Sequence, residues 1–372
     1  MKNYRIFLFV IFLAVSALPA RAFNHPGGMH PFRQIEFVKT QLKHHQEPYW
    51  SAYQQLLMIA DSALVCTHHA LVDFSVPGYY KKPEEHVRNS KSLSSDAFNA
   101  YTCALAWQLS GEKKYAKRAL YFINAWSLIN KSYSESDGQL VMSYTGTAMV
   151  MAAELMKNYQ GWKKSDKQLF SEWITTVFRK ATNEIRTKKN NWADWGRFGS
   201  SLADYYLDDT TDLNENIRLF KSDIFNKIDV DGHMPEETRR GANGIWYTYF
   251  SLAPMTAMAW IAFNATGENL FTLQQNGRSL KTAIDYLLYY NQHPNEWKWF
   301  ENPVHGSPDS KFSDLNLKTR HAFWPANLID AMVGIYHDPN YAKYVAPYQP
   351  LCYETHHFAW VFTTLMPAQN EY

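Results

Sequence analysis

With 372 residues, 46% of them hydrophobic and 16% aromatic, the chain can bury one large core or two ordinary ones. A formal net charge of +2 gives no global cationic field, so neither charge nor motif supports a nucleic-acid partner, and an acidic ligand needs a local cluster. The three cysteines, Cys66, Cys103 and Cys352, fit no zinc spacing and cannot all pair with one another. The 13 tryptophans and 24 tyrosines fit a large helical core or a groove whose rings stack on sugar faces.

Residues 1–22 read as a targeting segment. Lys2 and Arg5 form a basic start, residues 6–18 an apolar run too short to span a bilayer, and Ala20-Arg21-Ala22 a small-x-small cleavage site. Phe23 follows rather than a cysteine, so no lipid anchor is expected. Removing the segment leaves 34 basic against 35 acidic residues, a net charge of −1. No later apolar run is long enough to cross a membrane. The expectation is a periplasmic or secreted protein with a single domain over 23–372.

Pro26 and Gly27-Gly28 make residues 25–30 an irregular loop, with His25 and His30 on a surface turn. A helix is expected over 34–64, interrupted near Pro48. Residues 73–95 read as a long polar and aromatic loop, in which Arg88 and Lys91 are candidate contacts to a negative ligand. Ser95 can cap the next helix, whose stripe is Ala97, Tyr101, Ala104 and Leu105 and whose stop is Gly111. A second helix through Tyr115, Ala119, Phe122 and Trp126 completes a tight hairpin, and Cys103 falls on its core side. Further helices are expected over 139–159, with Gln139 among the substrate contacts, over 165–188, after Trp192, from Pro235, from Leu252, and over 270–290 and 322–336. No stretch alternates with period two, so the fold is all-α. Its hairpins can stack as a solenoid or close into a toroid, and the lack of a fixed-length repeat weighs against a regular solenoid.

Four stretches concentrate polar chemistry. In 188–197, Asn190 and Asn191 sit at a turn beside Trp192, Asp194 and Trp195; amides can bind a carboxylate, although the stretch taken alone favours a helix cap with two core tryptophans. In 231–250, Asp231-Gly232 is a turn, and Pro235 with Glu236 and Glu237 suits a helix start. Arg239 and Arg240 follow, and Arg240 and Tyr247 would share a face of one continuous helix. Residues 295–324 mix Trp297, Trp299 and Trp324 with His305, Lys311, Lys318, Arg320 and His321. Near the C-terminus, His356 and His357 follow Glu354, but adjacent helical histidines point about 100° apart, so no metal site is assigned.

HPGGMH at 25–30, the segment 94–127, NNWADW at 190–195 and DGHMPEETRRGANGIWY at 231–247 together resemble the alginate lyase family of uronate-polysaccharide lyases. The resemblance implies an (α/α) toroid and β-elimination; that scheme requires no metal or cofactor, and no ligand cluster in the sequence argues for one. The resemblance puts the family's catalytic tyrosine at Tyr247, its arginine at Arg240 and its asparagine at Asn191. The family's histidines fall on Trp192, Trp246 and Thr248, so either another histidine takes the place of the usual imidazole, with His321, His305, His86 and His30 as the candidates, or the chemistry uses Asn191, Arg240 and Tyr247 alone. Trp192, Trp195, Arg239, Trp246, Tyr249 and His305 join Arg88, Lys91 and Gln139 as substrate contacts.

A uronate lyase must mask the carboxylate before it removes the α-hydrogen. Asn191, an arginine and a histidine would do so, and Tyr247 would take the proton and return it to the leaving oxygen. Arg240 would have to bring the phenol from about 10 to about 8. One residue can do both tasks when the hydrogen and the leaving oxygen share a ring face, as in β-D-mannuronate and β-D-glucuronate. The other readings are a glycoside hydrolase using Glu236 or Glu237 with Asp194 or Asp204, and a uronan-binding protein that has lost catalysis.

Overall fold

The computed structural model describes residues 23–299, 325–352 and 356–372. After α1 (Phe32–Lys43) and α2 (Tyr49–Ala63) come α3 (Pro83–Ser110) and α4 (Lys113–Ile129). Then follow α5 (Gly138–Met156), α6 (Lys164–Trp173) and α7 (Arg179–Ile185), the last two joined by a π turn at Ile174–Phe178. The chain continues through α8 (Asn191–Leu207), α9 (Thr210–Lys227), the single turn α10 (Pro235–Thr238), α11 (Gly244–Thr266), α12 (Leu280–Gln292), α13 (Ala326–Tyr336) and α14 (Pro339–Val345).

Composition decides which helices lie inside. Almost every residue of α5 is buried, and α11 is buried from Gly244 to Ala262 except at Trp246 and Tyr247. Helices apolar all round belong in the middle of a fold. The inner helices α3, α5, α8 and α11 pack in succession, with α4 outside α3, α7 against α5 and α8, α9 outside α8 and α12 against α11. This is the all-α toroid of helical hairpins expected from the sequence.

The inner helices run in one sense. Their C-terminal halves meet the segment 25–30: Tyr101 of α3 bonds His30, and Glu154 of α5 lies 2.6 Å from His25. Tyr205 of α8 donates to Asn24 O at 2.8 Å, and Trp260 and Asn264 of α11 donate to Met29 O and Gly28 O at 3.0 and 2.7 Å. Segment 25–30 is therefore a plug and not the surface turn expected, because its glycines let the backbone pass close to Tyr205. The opposite pole collects the N-terminal ends, where Tyr79 N, just ahead of α3, donates at 3.0 Å to Asp137, the residue before α5. A buried coil over 358–368 threads between these helices: Phe358 N bonds Tyr144 O at 3.0 Å and Trp360 Nε1 bonds Thr256 at 2.9 Å.

Several boundaries differ from expectation. Helix α3 begins at Pro83, not Ser95, because Pro83 stands at its first position and Glu84 and Glu85 in its first turn. The long loop thus shortens to the connection before Pro83. The helix expected over 270–290 is α12 preceded by a hairpin, Gln274–Gln275 with Arg278–Ser279, turned by Asn276 and Gly277 at φ 51° and 81°. A parallel pair, Asp73–Ser75 with Ser132–Ser134, is the other strand pairing among the described residues. Cys66 and Cys103 are free thiols, with Cys103 in the core as expected.

Gly196 lets α8 approach the end of α7 backbone to backbone: a Cβ there would stand 2.7 Å from both Arg186 N and Thr182 O. Gly196→Ala is expected to cost about 1–3 kcal/mol through overpacking, read as a lower urea midpoint; an unchanged midpoint would show that the helices can part.

Candidate active site

The segment between α9 and α11 builds the site through two bends. Gly232, at φ 92°, passes where a Cβ would lie 2.4 Å from Thr282 O. Helix α10 stops after Thr238, Gly241 takes φ 63°, and a 3-10 turn at Gly241–Asn243 leads into α11. Arg240 and Tyr247 therefore do not share one continuous helix; the bend folds the arginine back over the first turn of α11. Arg240 Nη2 donates to Tyr247 OH at 3.0 Å, and its Cζ lies 4.1 Å from the centroid of that ring. Tyr80, in the connection before α3, bonds both the Tyr247 hydroxyl and Arg240.

These contacts do not depress the phenol. Burial of the hydroxyl, then the Tyr80 hydroxyl beside it, hold Tyr247 well above the usual tyrosine value, and Arg240 pulls the other way without prevailing. The sequence-based expectation of a phenol near 8 is corrected for this arrangement: Tyr247 is a neutral phenol, because a desolvated phenolate costs more than one guanidinium returns.

Asn190 caps α8, accepting from Trp192 N at 3.4 Å. The next residue is buried and clasped: Asn191 N and Nδ2 donate to the two carboxylate oxygens of Glu237, each at 2.7 Å. Burial pushes Glu237 up to about 7, Asn191 opposing and the charge of Asp194 adding to the rise. Below it Lys227 Nζ pairs with Asp194 at 2.5 Å, and Ser251 donates to the other Asp194 oxygen. The carboxylates weighed for hydrolysis are thus committed elsewhere. Glu237 and Asp194 are spent on these buried partners, Asp204 on Asn216 at 2.9 Å, and Glu236 on exposed Arg239.

The remaining expected residues divide. Trp192 and Trp246 are half-buried, and Trp246 stands edge-on to Tyr247 at 5.0 Å and stacks on Phe250 at 4.8 Å. Gln139 is half-buried in the first turn of α5, at the same pole. Trp195 and Tyr249 are fully buried core residues and no substrate contacts; Tyr249 donates to Asn327 at 3.1 Å. Arg239, Arg88 and Lys91 are exposed, and among the described residues neither Arg88 nor Lys91 pairs with an acid. His30 belongs to the plug, where burial lowers it to about 4. His86 donates to Pro77 O at 2.8 Å and braces the connection that carries Tyr80. His305 and His321 lie outside the described residues.

Three contributors were not assigned from sequence. Tyr80 lay in a loop noted only for its polar and aromatic character. Glu237 was read as a helix-start acid or a hydrolytic one. His356 was weighed only as a metal ligand; its exposed ring lies 6.1 Å from Trp246 and nearly parallel to it. The buried ring of His357 stands at 90° to that of His356.

Because burial raises Glu237, the stability it contributes is full below its unfolded value of about 4.3 and is lost as pH rises through about 7. The stability difference between wild type and Glu237→Gln is expected to shrink by on the order of 3 kcal/mol across that window, measured by urea unfolding at each pH. A flat difference would mean that Glu237 titrates normally.

The sequence profile of the alginate lyase family matches residues 39–297. An alginate lyase from Bacteroides ovatus superposes with a TM-score of 0.69 at 19% identity, over 92% of this chain and 99% of that one. Alginate lyase A1-III from Sphingomonas species A1 gives 0.68 at 14%, over 92% and 96%. A variant of alginate lyase A1-III complexed with a tetrasaccharide gives 0.70 at 14%, over 94% and 98%. No curated protein sequence matches. With the profile spanning most of the chain and the toroid shared with these structures, the protein belongs to the alginate lyase family and is a polysaccharide lyase.

Proposed function

We propose that the chain cleaves β-1,4-linked uronans, polymannuronate or glucuronan, by metal-independent syn β-elimination with Tyr247 as base and then acid. The observation that carries this reading is the Arg240–Tyr247 contact at 3.0 Å, set at the pole where the inner helices begin. The helix N-termini there favour an anion, since each carries a partial positive charge of about half a unit.

Asn191 spends one amide hydrogen on Glu237 and keeps the other for a uronate oxygen. Arg240 Nε is buried without a partner among the described residues and supplies a charged donor. An imidazole completes the set: His321, or His356 beside Trp246. With the carboxylate masked, the anion left by loss of the α-hydrogen is stabilised, and preorganised donors of this kind form the largest catalytic term. The neutral Tyr247 phenol suits protonation of the leaving oxygen; proton abstraction draws on the fraction that Arg240 helps to ionise. Trp192 and Trp246 offer flat faces to the sugar rings. Export is proposed from the basic start, apolar run and small-x-small site of residues 1–22. No helix among the described residues is long and apolar enough to cross a membrane.

Incubation with polymannuronate and glucuronan is expected to release unsaturated uronates, detected by ultraviolet absorbance and mass. Tyr247→Phe is expected to lower kcat at least about 100-fold with unchanged unfolding. A saturated product one water heavier, or an undiminished rate in that variant, would sink the proposal.

A base whose pKa is raised gains its active form as pH rises. kcat/KM is therefore expected to climb about tenfold per pH unit between about 7 and 9. A plateau below pH 8 would assign proton removal to another group.

A further inference from the structure

The pole opposite Tyr247 holds a second charged cluster, built around the first residues described. Phe23 stacks on Tyr205 with ring centroids 4.5 Å apart, and its backbone nitrogen lies 2.8 Å from Asp208 Oδ1. His25 stands between two acids, Nδ1 2.6 Å from Glu154 Oε1 and Nε2 3.1 Å from Asp208 Oδ1. Lys157 Nζ lies 2.7 Å from that same Nε2 and 3.2 Å from Asp208 Oδ2, and donates to Tyr206 O at 2.6 Å. Glu154 Oε2 is buried with no partner among the described residues.

Two carboxylates thus face one ammonium. In the uncut chain the second positive charge comes from His25, whose pKa is raised: burial is the largest single influence and opposes its charge, as does Lys157, but the contacts with Glu154 and Asp208 together outweigh them. That solution sets an imidazolium 2.7 Å from the Lys157 ammonium, two cations in contact. A cation at the nitrogen of Phe23 removes the conflict. His25 can then stay neutral, its Nδ1–H donated to Glu154 and its Nε2 accepting from Lys157, while Asp208 Oδ1, which lies 3.1 Å from that Nε2, takes its hydrogen bond from the Phe23 nitrogen instead.

We propose that the mature protein begins at Phe23 and that its α-ammonium, freed by hydrolysis of the Ala22–Phe23 peptide bond, is held by Asp208 as the missing cation of this cluster. The cut rests on the export reading above. Water adds across the amide, Ala22 leaves with the carboxylate and the Phe23 amine takes up a proton; the catalyst is the leader-removing endopeptidase of the export machinery. The new terminus secures the plug that ties α3, α5, α8 and α11, so removal of the leader completes the closed pole.

Chains starting at Phe23 and chains with one alanine added ahead of it, each with and without Asp208→Asn, separate the pair from general effects. At pH 7 the extension is expected to lower the Tm by about 2–4 °C with Asp208 present and not at all in the Asp208→Asn background. A free α-amine titrates near 7.7–8.0, roughly, and pairing raises it. The Tm gap is therefore full below about pH 8 and closes as pH rises through the raised value. Equal Tm values for the two native-sequence chains at pH 7, or the same gap in the Asp208→Asn chains, would overturn the ion pair. N-terminal peptide mass on protein exported with its own leader reads the cut separately: Phe23 as first residue supports it, and any other start refutes it while the melting series still judges the pair.

Discussion

Each inner helix is followed by outer helices that carry the chain back, so successive inner helices begin at the same pole. This constraint sorts the chemistry of the molecule. One pole gathers unpaired backbone N–H groups and partial positive charge, the other unpaired carbonyls and partial negative charge. The starts of α5, α8 and α11 accordingly bring Gln139, Asn191 and Tyr247 to one end. The far end is closed by donors and cations: Lys157 on Tyr206 O, Trp260 and Asn264 on the plug carbonyls. Neither end could exchange roles without reversing the hairpins.

Below Asn191 lies a buried polar layer that stability alone does not explain. Glu237, Asp194, Lys227 and Ser251 are all buried, and ion pairs taken out of water often contribute no more than apolar side chains of equal size. Their partners explain them better. Glu237 ties the bend after α9 to the first residue of α8, and Asp194 ties α8 to Lys227 of α9 and Ser251 of α11. Removing any one member would leave a buried charge or polar group short of a partner, so the layer fixes register between three helices and the loop that carries Arg240. The elevated pKa of Glu237 is the energetic cost of that fixing.

Fold class was legible because the signals were local: Gly111 as a helix stop, the apolar faces of the α3–α4 hairpin, the lack of period-two alternation. The contact between Arg240 and Tyr247 was also legible, yet for the wrong reason. Spacing suggested two turns of one helix, whereas Gly241 at positive φ makes the bend that joins them. Tyr80 could not be read, since its partners lie 160 and 167 residues away. Trp195 and Trp246 looked alike in sequence; burial separated them, and burial is set by which inner helix each residue faces. The ionisation of Tyr247 failed for a related reason: spacing located the favourable cation but not the enclosure around the hydroxyl.

Tryptophan at 192 and 246, where the resemblance to the family implies histidine, narrows the proposed chemistry. Imidazoles would titrate near neutrality and could divide proton removal and return between two groups on opposite ring faces. Indoles cannot; with His321 or His356 assigned to the uronate carboxylate, the proposal leaves the proton transfers to Tyr247, which has Trp246 edge-on to its ring and Arg240 over it. If one phenol both takes and returns the proton, the hydrogen and the leaving oxygen must lie on one face. That condition selects β-D-mannuronate and β-D-glucuronate over the epimer whose groups oppose. In that proposal the two tryptophans would set substrate stereochemistry by what they cannot do, and their rings would offer the stacking surface that holds the sugar against the phenol.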